Sequence, residues 1–214
     1  MLITYHHITP APLAGVIHSQ SDIWDTEVTF QEGTSYLVYA PSGKGKSTFT
    51  HIMYGLRNDF VGSATVDGQD TRKITRQTWA ALRQEKMSIV FQDLRLFLHL
   101  TAWENLQVKA QLYSQVKEDD LLAMVERLGV QHVLHKQAQF LSYGERQRVA
   151  IIRSLIQPFS FLLFDDPFSH LDVTYLEKAA TLIWEKVKAQ QASLLMTSLG
   201  HEYGLQFDQK LLLG

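Results

Sequence analysis

The segment SYLVYAPSGKGKSTFTHIMYGL, residues 35–56, decides the fold. It opens with an apolar run typical of a buried strand, crosses a glycine-containing polar loop, and resumes with apolar residues at helical spacing. This order of strand, loop and helix is the context in which a phosphate-binding P-loop, G-x-x-x-x-G-K-[ST], is found. The residues that fall on one predicted helix face are Phe49, Ile52, Met53 and Leu56.

The loop from Ala40 to Thr48 fits the second half of this pattern but has alanine in place of its first glycine. Alanine is compatible with that position when its φ angle is negative, so we expect phosphate binding to survive. Lys46 is expected to reach the β- and γ-phosphates, and the Ser47 hydroxyl to ligate Mg²⁺. The alternative is an ordinary polar turn in which Ser47 caps the helix. The predicted nucleotide-binding residues of the loop are Ser42, Gly43, Lys44, Gly45, Lys46, Ser47 and Thr48.

The composition of the 214-residue chain is that of an ordinary globular protein, with 45% hydrophobic and 20% charged residues. The formal net charge of −2 gives no basic signal, so no nucleic-acid partner is predicted. The absence of cysteine excludes disulfides and thiolate chemistry. No apolar run reaches the roughly 20 residues that a membrane-spanning helix needs, and the first residues do not resemble a signal peptide.

A second chemical motif is FLLFDDP, residues 161–167. An apolar strand that ends in a carboxylate is typical of a Walker-B Mg²⁺ site, for which Asp165 is the predicted ligand. A buried strand followed by an ordinary Asp-Pro turn is the alternative. Because a parallel sheet can place Asp165 beside Ser47, the two motifs support each other.

Periodicity divides the chain into strand-rich and helix-rich parts. Strands are predicted at residues 2–5, 28–30, 36–39 and 193–198. The region from residue 92 to residue 157 is mostly helical, and another helix is predicted at residues 175–190. Buried strands alternating with helices indicate an α/β domain with a parallel sheet, into which the middle helices are inserted as a subdomain.

The third motif, LSYGERQRVAIIRSL at residues 141–155, resembles the signature of ATP-binding-cassette (ABC) ATPases, which usually reads LSGGQ followed by a basic helix. Ser142 followed three residues later by Glu145 is also a capping box, and the two interpretations agree because the family places this motif at a helix N-terminus. The P-loop, Gln92, the signature, Asp165 and the SHLD of residues 169–172 come in the family's order along nearly the whole chain.

The resemblance implies a P-loop NTPase parallel-sheet core with an ABC-type antiparallel β portion and an inserted α-helical subdomain. Residues 1–214 would be one nucleotide-binding domain, with its core at 1–91 and 158–214 and its helical subdomain at 92–157. The implied function is that of the ATPase subunit of an ABC transporter, which hydrolyses MgATP as a head-to-tail homodimer. A separate membrane permease would hold this subunit peripherally, at the cytoplasmic face of the cell membrane. Within the family, the motifs look most like the lipoprotein-release, macrolide-efflux and cell-division group.

Residue roles follow from the resemblance position by position. Gln92 resembles the Q-loop glutamine, which contacts Mg²⁺ and the attacking water and links the ATP site to the transporter. Ser142, Gly144 and Glu145 lie in the signature, which contacts the γ-phosphate of ATP bound on the opposite subunit. Asp172 resembles the D-loop aspartate at the dimer interface. The implied metal ligands are Ser47, Gln92 and Asp165, and the implied catalytic residues are Asp166, Gln92 and Ser198.

Three further departures from the family bear on rate and affinity. Asp166 replaces the usual catalytic glutamate, and a carboxylate one methylene shorter is expected to slow hydrolysis by about a hundredfold where nothing compensates. Ser198 occupies the switch-histidine position, and His201 is either its substitute or an ordinary surface histidine. The segment ITPAPLAGVIH, residues 8–18, lacks the aromatic residue on which adenine usually stacks. The residues left to cover the base are Pro12, Leu13 and His18.

These departures leave a second hypothesis open, a nucleotide-dependent switch or assembly module of the same fold with little ATP turnover. A DNA-repair or chromosome ATPase does not fit, because those families insert long coiled coils where this chain has too few residues between Lys46 and Ser142. The apolar run after Gln92 either forms an exposed permease contact or packs in the core. Its members are Leu94, Leu96, Phe97, Leu98 and Leu100.

Overall fold

The computed structural model describes residues 1–15, 20–168 and 170–214. The strands are β1 (Leu2–Pro10), β2 (Glu27–Gln31), β3 (Tyr36–Tyr39), β4 (Phe60–Val66), β5 (Gln69–Asp70), β6 (Met87–Val90), β7 (Phe161–Asp165), β8 (Ser193–Ser198) and β9 (Gln209–Leu212). The helices are α1 (Lys46–Met53), α2 (Arg76–Glu85), α3 (Ala102–Ala110), α4 (Glu118–Arg127), α5 (Tyr143–Leu155) and α6 (Val173–Ala189).

The central sheet has the strand order β6-β7-β8-β3-β9, and every neighbouring pair in it is parallel. Both β7 and β8 are buried along their whole length, which is why their sequences are continuous apolar runs rather than alternating ones. The carboxyl ends of β3, β7 and β8 lie together at one edge, since Asp165 pairs with Thr197 and Tyr39 pairs with Ser198. The predicted parallel-sheet core is confirmed.

A second sheet, with the order β2-β1-β4-β5, is antiparallel and packs against the other side of α1. Its contact with α1 is aromatic: Tyr5 and Phe30 meet the Phe49 ring at centroid distances of 5.9 and 5.6 Å. This sheet is the antiparallel portion that the family resemblance implies, so the predicted fold class is confirmed.

Three helices, α3 to α5, lie between β6 and β7 in the chain. Thr101 and Ser142 open α3 and α5 with capping boxes, in which the side chain of Glu104 or Glu145 returns to the backbone of the cap. Gly129, at a φ of 63°, follows the end of α4 in the left-handed conformation that commonly terminates a helix. The buried faces of these helices share one hydrophobic cluster with β7, β8 and α6.

The prediction that Leu56 shares the buried face of α1 is wrong, because α1 ends at Met53 and Leu56 is 41% exposed. The chain turns there through Gly55, at a φ of 69°. The amides of Gly55 and Leu56 donate to the carbonyls of Ile52 and His51, at 3.0 and 2.8 Å. This pair of hydrogen bonds is a Schellman motif, which terminates α1 and directs Leu56 away from its buried face.

Candidate functional site: a nucleotide cavity at the carboxyl edge of the sheet

The P-loop connects the end of β3 to the start of α1 and lines a cavity of about 340 Å³. Gly45 stands at the N-cap of α1 with a φ of 93°, and no side chain caps that helix end. The first amides of α1 therefore remain available to an anion, which the helix dipole also favours. Glycine is needed at this N-cap for its left-handed conformation, and a Cβ at this position would also press on the tip of the Leu13 side chain, 2.9 Å away. The other residues that line the cavity are Ser42, Gly43, Lys46, Ser47, Thr48, Gln92, Asp165, Asp166 and Leu199.

Lys46 lies across the mouth of its own loop. Its Nζ donates to the carbonyl oxygens of Ala40 at 2.8 Å and Pro41 at 3.1 Å. Burial lowers the pKa of Lys46, and the carboxylates of Asp166 and Asp165 partly oppose that shift. Ala40 is buried and has a negative φ angle. The position where the pattern has its first glycine therefore requires no left-handed backbone in this chain.

Oxygen atoms that suit Mg²⁺ converge beside the P-loop. The Ser47 hydroxyl donates to Gln92 Oε1 at 3.2 Å, which joins the start of α1 to the second residue after β6. Asp165 is almost fully buried at the end of β7, and its Oδ1 accepts a hydrogen bond of 3.0 Å from the Thr197 hydroxyl of β8. Hydroxyl, amide and carboxylate oxygens are the hard ligands that Mg²⁺ takes together with nucleotide phosphates, so these residues fit the ion.

Asp166 follows Asp165 with its backbone in the left-handed region, at a φ of 50°. Aspartate is one of the few non-glycine residues that tolerates this conformation. Burial raises the pKa of the Asp166 carboxyl and Lys46 lowers it, while Asp165 raises it further and His170 and His201 lower it. The net shift is upward, as expected for a half-buried acid beside a second carboxylate.

The hydroxyl of Ser198 is committed to a turn at the end of β8. It donates to the His201 carbonyl oxygen at 3.0 Å and accepts from the Gly200 amide at 2.9 Å, and the residue is fully buried. The next side chain, Leu199, lines the cavity instead and is 58% exposed. The structure therefore does not bring the Ser198 hydroxyl together with the other predicted site residues, whereas His201 lies near enough to Asp166 to lower the pKa of that carboxyl slightly.

The signature motif begins α5 but does not line the cavity of its own chain. The Ser142 amide and hydroxyl both donate to Glu145 Oε2 at 2.7 Å, and His132 Nε2 lies 3.1 Å from Glu145 Oε1. Burial raises the pKa of Glu145, but the hydrogen bonds from Ser142 and His132 outweigh it and leave the pKa below its usual value. Glu145 is therefore a carboxylate at neutral pH.

Two aromatic residues near the site were not predicted from the sequence. Tyr143, inside the signature, donates from its hydroxyl to the Gln92 carbonyl oxygen at 2.7 Å and so joins α5 to the loop after β6. Trp24 is buried below the P-loop, and its indole Nε1 donates to the Lys44 carbonyl oxygen at 3.4 Å. Tyr143 was signalled by its departure from the LSGGQ pattern, whereas no local pattern marks Trp24.

The remaining predicted residues lie around the site or beyond what is described. Leu13 approaches the P-loop at Gly45, and Pro12 is exposed. His18 and Ser169 lie outside the described residues. Asp172 caps α6 by accepting from the Tyr175 amide at 3.1 Å.

The apolar run after Gln92 has both of the environments that its sequence allowed. Leu94 is buried at 4% exposure and packs in the core, so the core alternative holds for this residue. Leu96 and Leu100 are half-buried, whereas Phe97 and Leu98 are exposed. The exposed pair lies beside α3. Among the helices of the described residues, none has the length and apolarity to cross a membrane.

Comparisons with known proteins agree with this geometry. The sequence pattern of the ABC transporter family matches residues 23–169. The thiamine import ATP-binding protein ThiQ of Escherichia coli (strain K12) is 31% identical over 80% of this chain and 72% of its own length. The lipoprotein-releasing system ATP-binding protein LolD of Shewanella frigidimarina (strain NCIMB 400) is 29% identical over 95% and 90%. The dimeric structure of MJ0796, a bacterial ABC transporter cassette, superposes with a TM-score of 0.82 at 23% identity and covers 99% of this chain and 95% of that one. The predicted likeness to the lipoprotein-release group is confirmed, beside an equal likeness to thiamine import proteins.

Proposed function

This chain belongs to the ABC transporter family of ATPases, and we propose that it pairs head-to-tail with a second copy to hydrolyse MgATP and drive a separate membrane permease. The observation that carries the proposal is the convergence of Lys46, Ser47, Gln92, Asp165 and Asp166 on one cavity at the carboxyl edge of the parallel sheet. Ligands of α/β proteins bind at this edge. The transported substrate is a separate question, since the relatives named for thiamine and for lipoproteins are similarly close.

Each residue of the cavity has a proposed role in binding or hydrolysis. The amides of residues 43 to 48 hold the phosphates, and Lys46 exchanges the Ala40 and Pro41 carbonyls for the β- and γ-phosphates. Ser47, Gln92 and Asp165 hold Mg²⁺, which neutralises phosphate charge when bound. Asp166 orients the attacking water and accepts its proton, since its carboxylate lies beside Lys46 in the same cavity.

A second copy is part of the proposal because the signature of one chain lies outside its own cavity. Ser142, Gly144 and Glu145 would complete the ATP site of the partner. Gly144 is already close to its surroundings, since a Cβ there would lie 3.1 Å from the His170 carbonyl oxygen. A side chain at Gly144 would therefore press on the segment before α6 and displace the start of α5.

Replacing Ser142 by arginine is expected to abolish ATP-dependent dimerisation while each copy still binds MgATP. The long side chain removes the hydroxyl and fills the space into which the partner's γ-phosphate must come. Analytical ultracentrifugation of wild type and Ser142→Arg, each with and without MgATP, measures the dimer fraction. The matched control is Ser114→Arg, at an exposed position between α3 and α4. A dimer that persists unchanged in Ser142→Arg would contradict the head-to-tail arrangement.

Replacing Glu145 by glutamine is expected to tighten the ATP-bound dimer by about fivefold. The Glu145 carboxylate accepts from Ser142 and would face the γ-phosphate of the partner's ATP, so its charge opposes closure by about 1 kcal/mol. Glutamine keeps an oxygen acceptor for Ser142 without that charge. The dimer dissociation constant is compared with that of Glu126→Gln, which removes one charge from the exposed face of α4. An unchanged or weaker dimer in Glu145→Gln would show that the carboxylate does not face phosphate.

We further propose that the chain divides functionally into a core of residues 1–91 and 158–214 and a helical subdomain of residues 92–157. The permease would dock where the two parts meet, near Gln92, Phe97 and Leu98, and it would hold the chain at the cytoplasmic face of the membrane. The exposure of Phe97 and Leu98 beside α3 supports this contact.

The second candidate function is a nucleotide-dependent switch of the same fold with little turnover. It is favoured by the two hydrogen bonds that hold the Ser198 hydroxyl in the turn after β8, because that hydroxyl is then not available to contact the γ-phosphate. The rate of phosphate release by the dimer distinguishes the two functions. A switch would bind MgATP and dimerise, but it would release phosphate no faster than a Lys46→Ala variant.

A further inference from the structure

Tyr143, the third residue of the LSYGE signature, extends from the start of α5 to the segment that follows β6. Its hydroxyl donates to the Gln92 carbonyl oxygen at 2.7 Å. The family pattern LSGGQ has glycine at this position, and glycine has no side chain that could make such a contact. The hydrogen bond between the signature and Gln92 therefore depends on a departure of this chain from the family pattern.

Neighbouring groups restrict the Tyr143 ring. Its centroid lies 4.3 Å from that of the His170 ring, and the two planes are tilted by 52°. The Arg146 guanidinium lies 5.6 Å from the Tyr143 centroid, one turn further along α5. At the next residue, Gly144, a Cβ would lie 3.1 Å from the His170 carbonyl oxygen, so the backbone there is also closely packed. A ring among such neighbours has few other rotamers, and its hydroxyl therefore stays directed at Gln92.

Gln92 is exposed, and hydrogen bonds hold it at both ends. Its side-chain Oε1 accepts from the Ser47 hydroxyl at 3.2 Å, and its carbonyl oxygen accepts from Tyr143. It also lies inside a turn that the Leu94 amide closes by donating to the Phe91 carbonyl oxygen at 2.9 Å. Loss of the Tyr143 hydroxyl would therefore free the backbone of the residue whose side chain reaches the P-loop.

We propose that Tyr143 is a positioning residue that keeps Gln92 directed at the nucleotide cavity before MgATP arrives. The inference rests on the proposed function, since it assigns a supporting residue to the metal ligand Gln92. A side chain whose backbone is already fixed loses less conformational freedom when its oxygen becomes a ligand. One hydrogen bond typically changes an equilibrium by about fivefold, so effects of about that size are expected.

Two tyrosine-to-phenylalanine variants compare this hydrogen bond with a matched one. Tyr143→Phe removes the hydroxyl and keeps the ring that packs on His170. The control is Tyr113→Phe, because the Tyr113 hydroxyl donates to the Gln84 carbonyl oxygen at the same distance of 2.7 Å and does not line the nucleotide cavity. A general loss of stability from a deleted tyrosine hydroxyl would appear in both variants.

Hydrogen exchange of the full chain without nucleotide tests the hold on Gln92. The Leu94 amide closes the turn around Gln92, and we expect its exchange to be about fivefold faster in Tyr143→Phe and unchanged in Tyr113→Phe. Equal exchange in wild type and Tyr143→Phe, or the same acceleration in both variants, would overturn the inference. Either result would leave the proposed function standing, because the measurement involves no nucleotide.

The free Mg²⁺ concentration that gives half of the ATP-dependent dimer tests whether this hold acts on the metal ligands. Analytical ultracentrifugation at saturating ATP should show that Tyr143→Phe needs about fivefold more Mg²⁺ than wild type, whereas Tyr113→Phe needs the same amount. A Mg²⁺ requirement of Tyr143→Phe equal to that of wild type would contradict the positioning role.

A double-mutant cycle with Gln92→Ala distinguishes positioning of Gln92 from a general effect on the signature. Gln92→Ala removes the side chain but keeps the carbonyl that Tyr143 binds, so adding Tyr143→Phe should change the Mg²⁺ requirement by less than about twofold. A second increase as large as the first would show that the hydroxyl acts by another route, and the inference would fail. If wild type forms no dimer with MgATP, the proposed function fails, and the exchange of the Leu94 amide still decides whether Tyr143 holds Gln92.

Discussion

Replacing Lys46 by alanine is expected to lower phosphate release at least about a hundredfold and to weaken MgATP binding strongly. Its ammonium lies at the P-loop mouth, on the carbonyls of Ala40 and Pro41, where a bound nucleotide would place its β- and γ-phosphates. A preorganised positive charge stabilises the negative charge that develops on the phosphate in the transition state. Its removal typically lowers the rate by about 10² to 10³. Phosphate release and nucleotide titration of the purified chain measure the two effects separately.

The matched control for this variant is Lys136→Ala, which removes an exposed lysine far along the chain from the P-loop. Activity is measured both for the chain alone and for the chain with its copurified permease, because the permease can be needed for turnover. Equal phosphate release by wild type and Lys46→Ala under both conditions, with tight MgATP binding by wild type, would support the switch function instead.

Much of the nucleotide cavity could be predicted from the sequence because its parts sit at the ends of strongly patterned elements. The apolar runs before Ala40 and before Asp165 are buried strands of one parallel sheet with β8 between them, and parallel strands of one sheet end at the same edge. Placing Asp165 near Ser47 therefore needed only the two motifs. Gln92 followed from the family resemblance, and its contact with Ser47 agrees with that assignment.

The elements that the sequence did not predict lack a regular pattern. The strand β4 contains Gly62 at a φ of 84°, opposite the irregularity in the β1 ladder between His6 and Thr9. Glycine in a strand interior weakens the alternation on which a strand prediction depends. The helix α2 buries only Trp79 fully, with Leu82 packed partly buried beside it, so its apolar face consists of few residues.

The commitment of Ser198 to a turn could not be predicted either, because it depends on backbone groups beyond the strand. Strand periodicity describes which face a side chain takes, and it carries no information about a hydroxyl that bonds to the amide of Gly200 and the carbonyl of His201. The same holds for Tyr143, whose hydrogen bond reaches Gln92 across the fold. Both residues stand at positions where this chain departs from the family's motifs.

Replacing Asp166 by asparagine is expected to lower the rate of phosphate release at least about a hundredfold while MgATP binding and the ATP-dependent dimer persist. Asparagine has nearly the same shape and also tolerates the left-handed backbone at a φ of 50°, so the fold is preserved. It cannot accept the proton of the attacking water. The ionised form of Asp166 is the base, and burial raises its pKa. As the pH is lowered, the wild-type rate should therefore begin to fall at a pH higher than the usual pKa of aspartate.

The longer carboxylate of Asp166→Glu tests whether reach limits the wild-type rate. Its extra methylene brings the carboxylate toward the position that the family's glutamate occupies, and we expect phosphate release to rise about tenfold or more. Part of the gain is offset because glutamate is less tolerant than aspartate of the left-handed conformation that Asp166 adopts. A rate that rises in Asp166→Glu and collapses in Asp166→Asn would identify this carboxylate as the base. If both variants released phosphate at the wild-type rate, Asp166 would have no catalytic role. The switch function would follow only where that rate is no higher than the rate of Lys46→Ala.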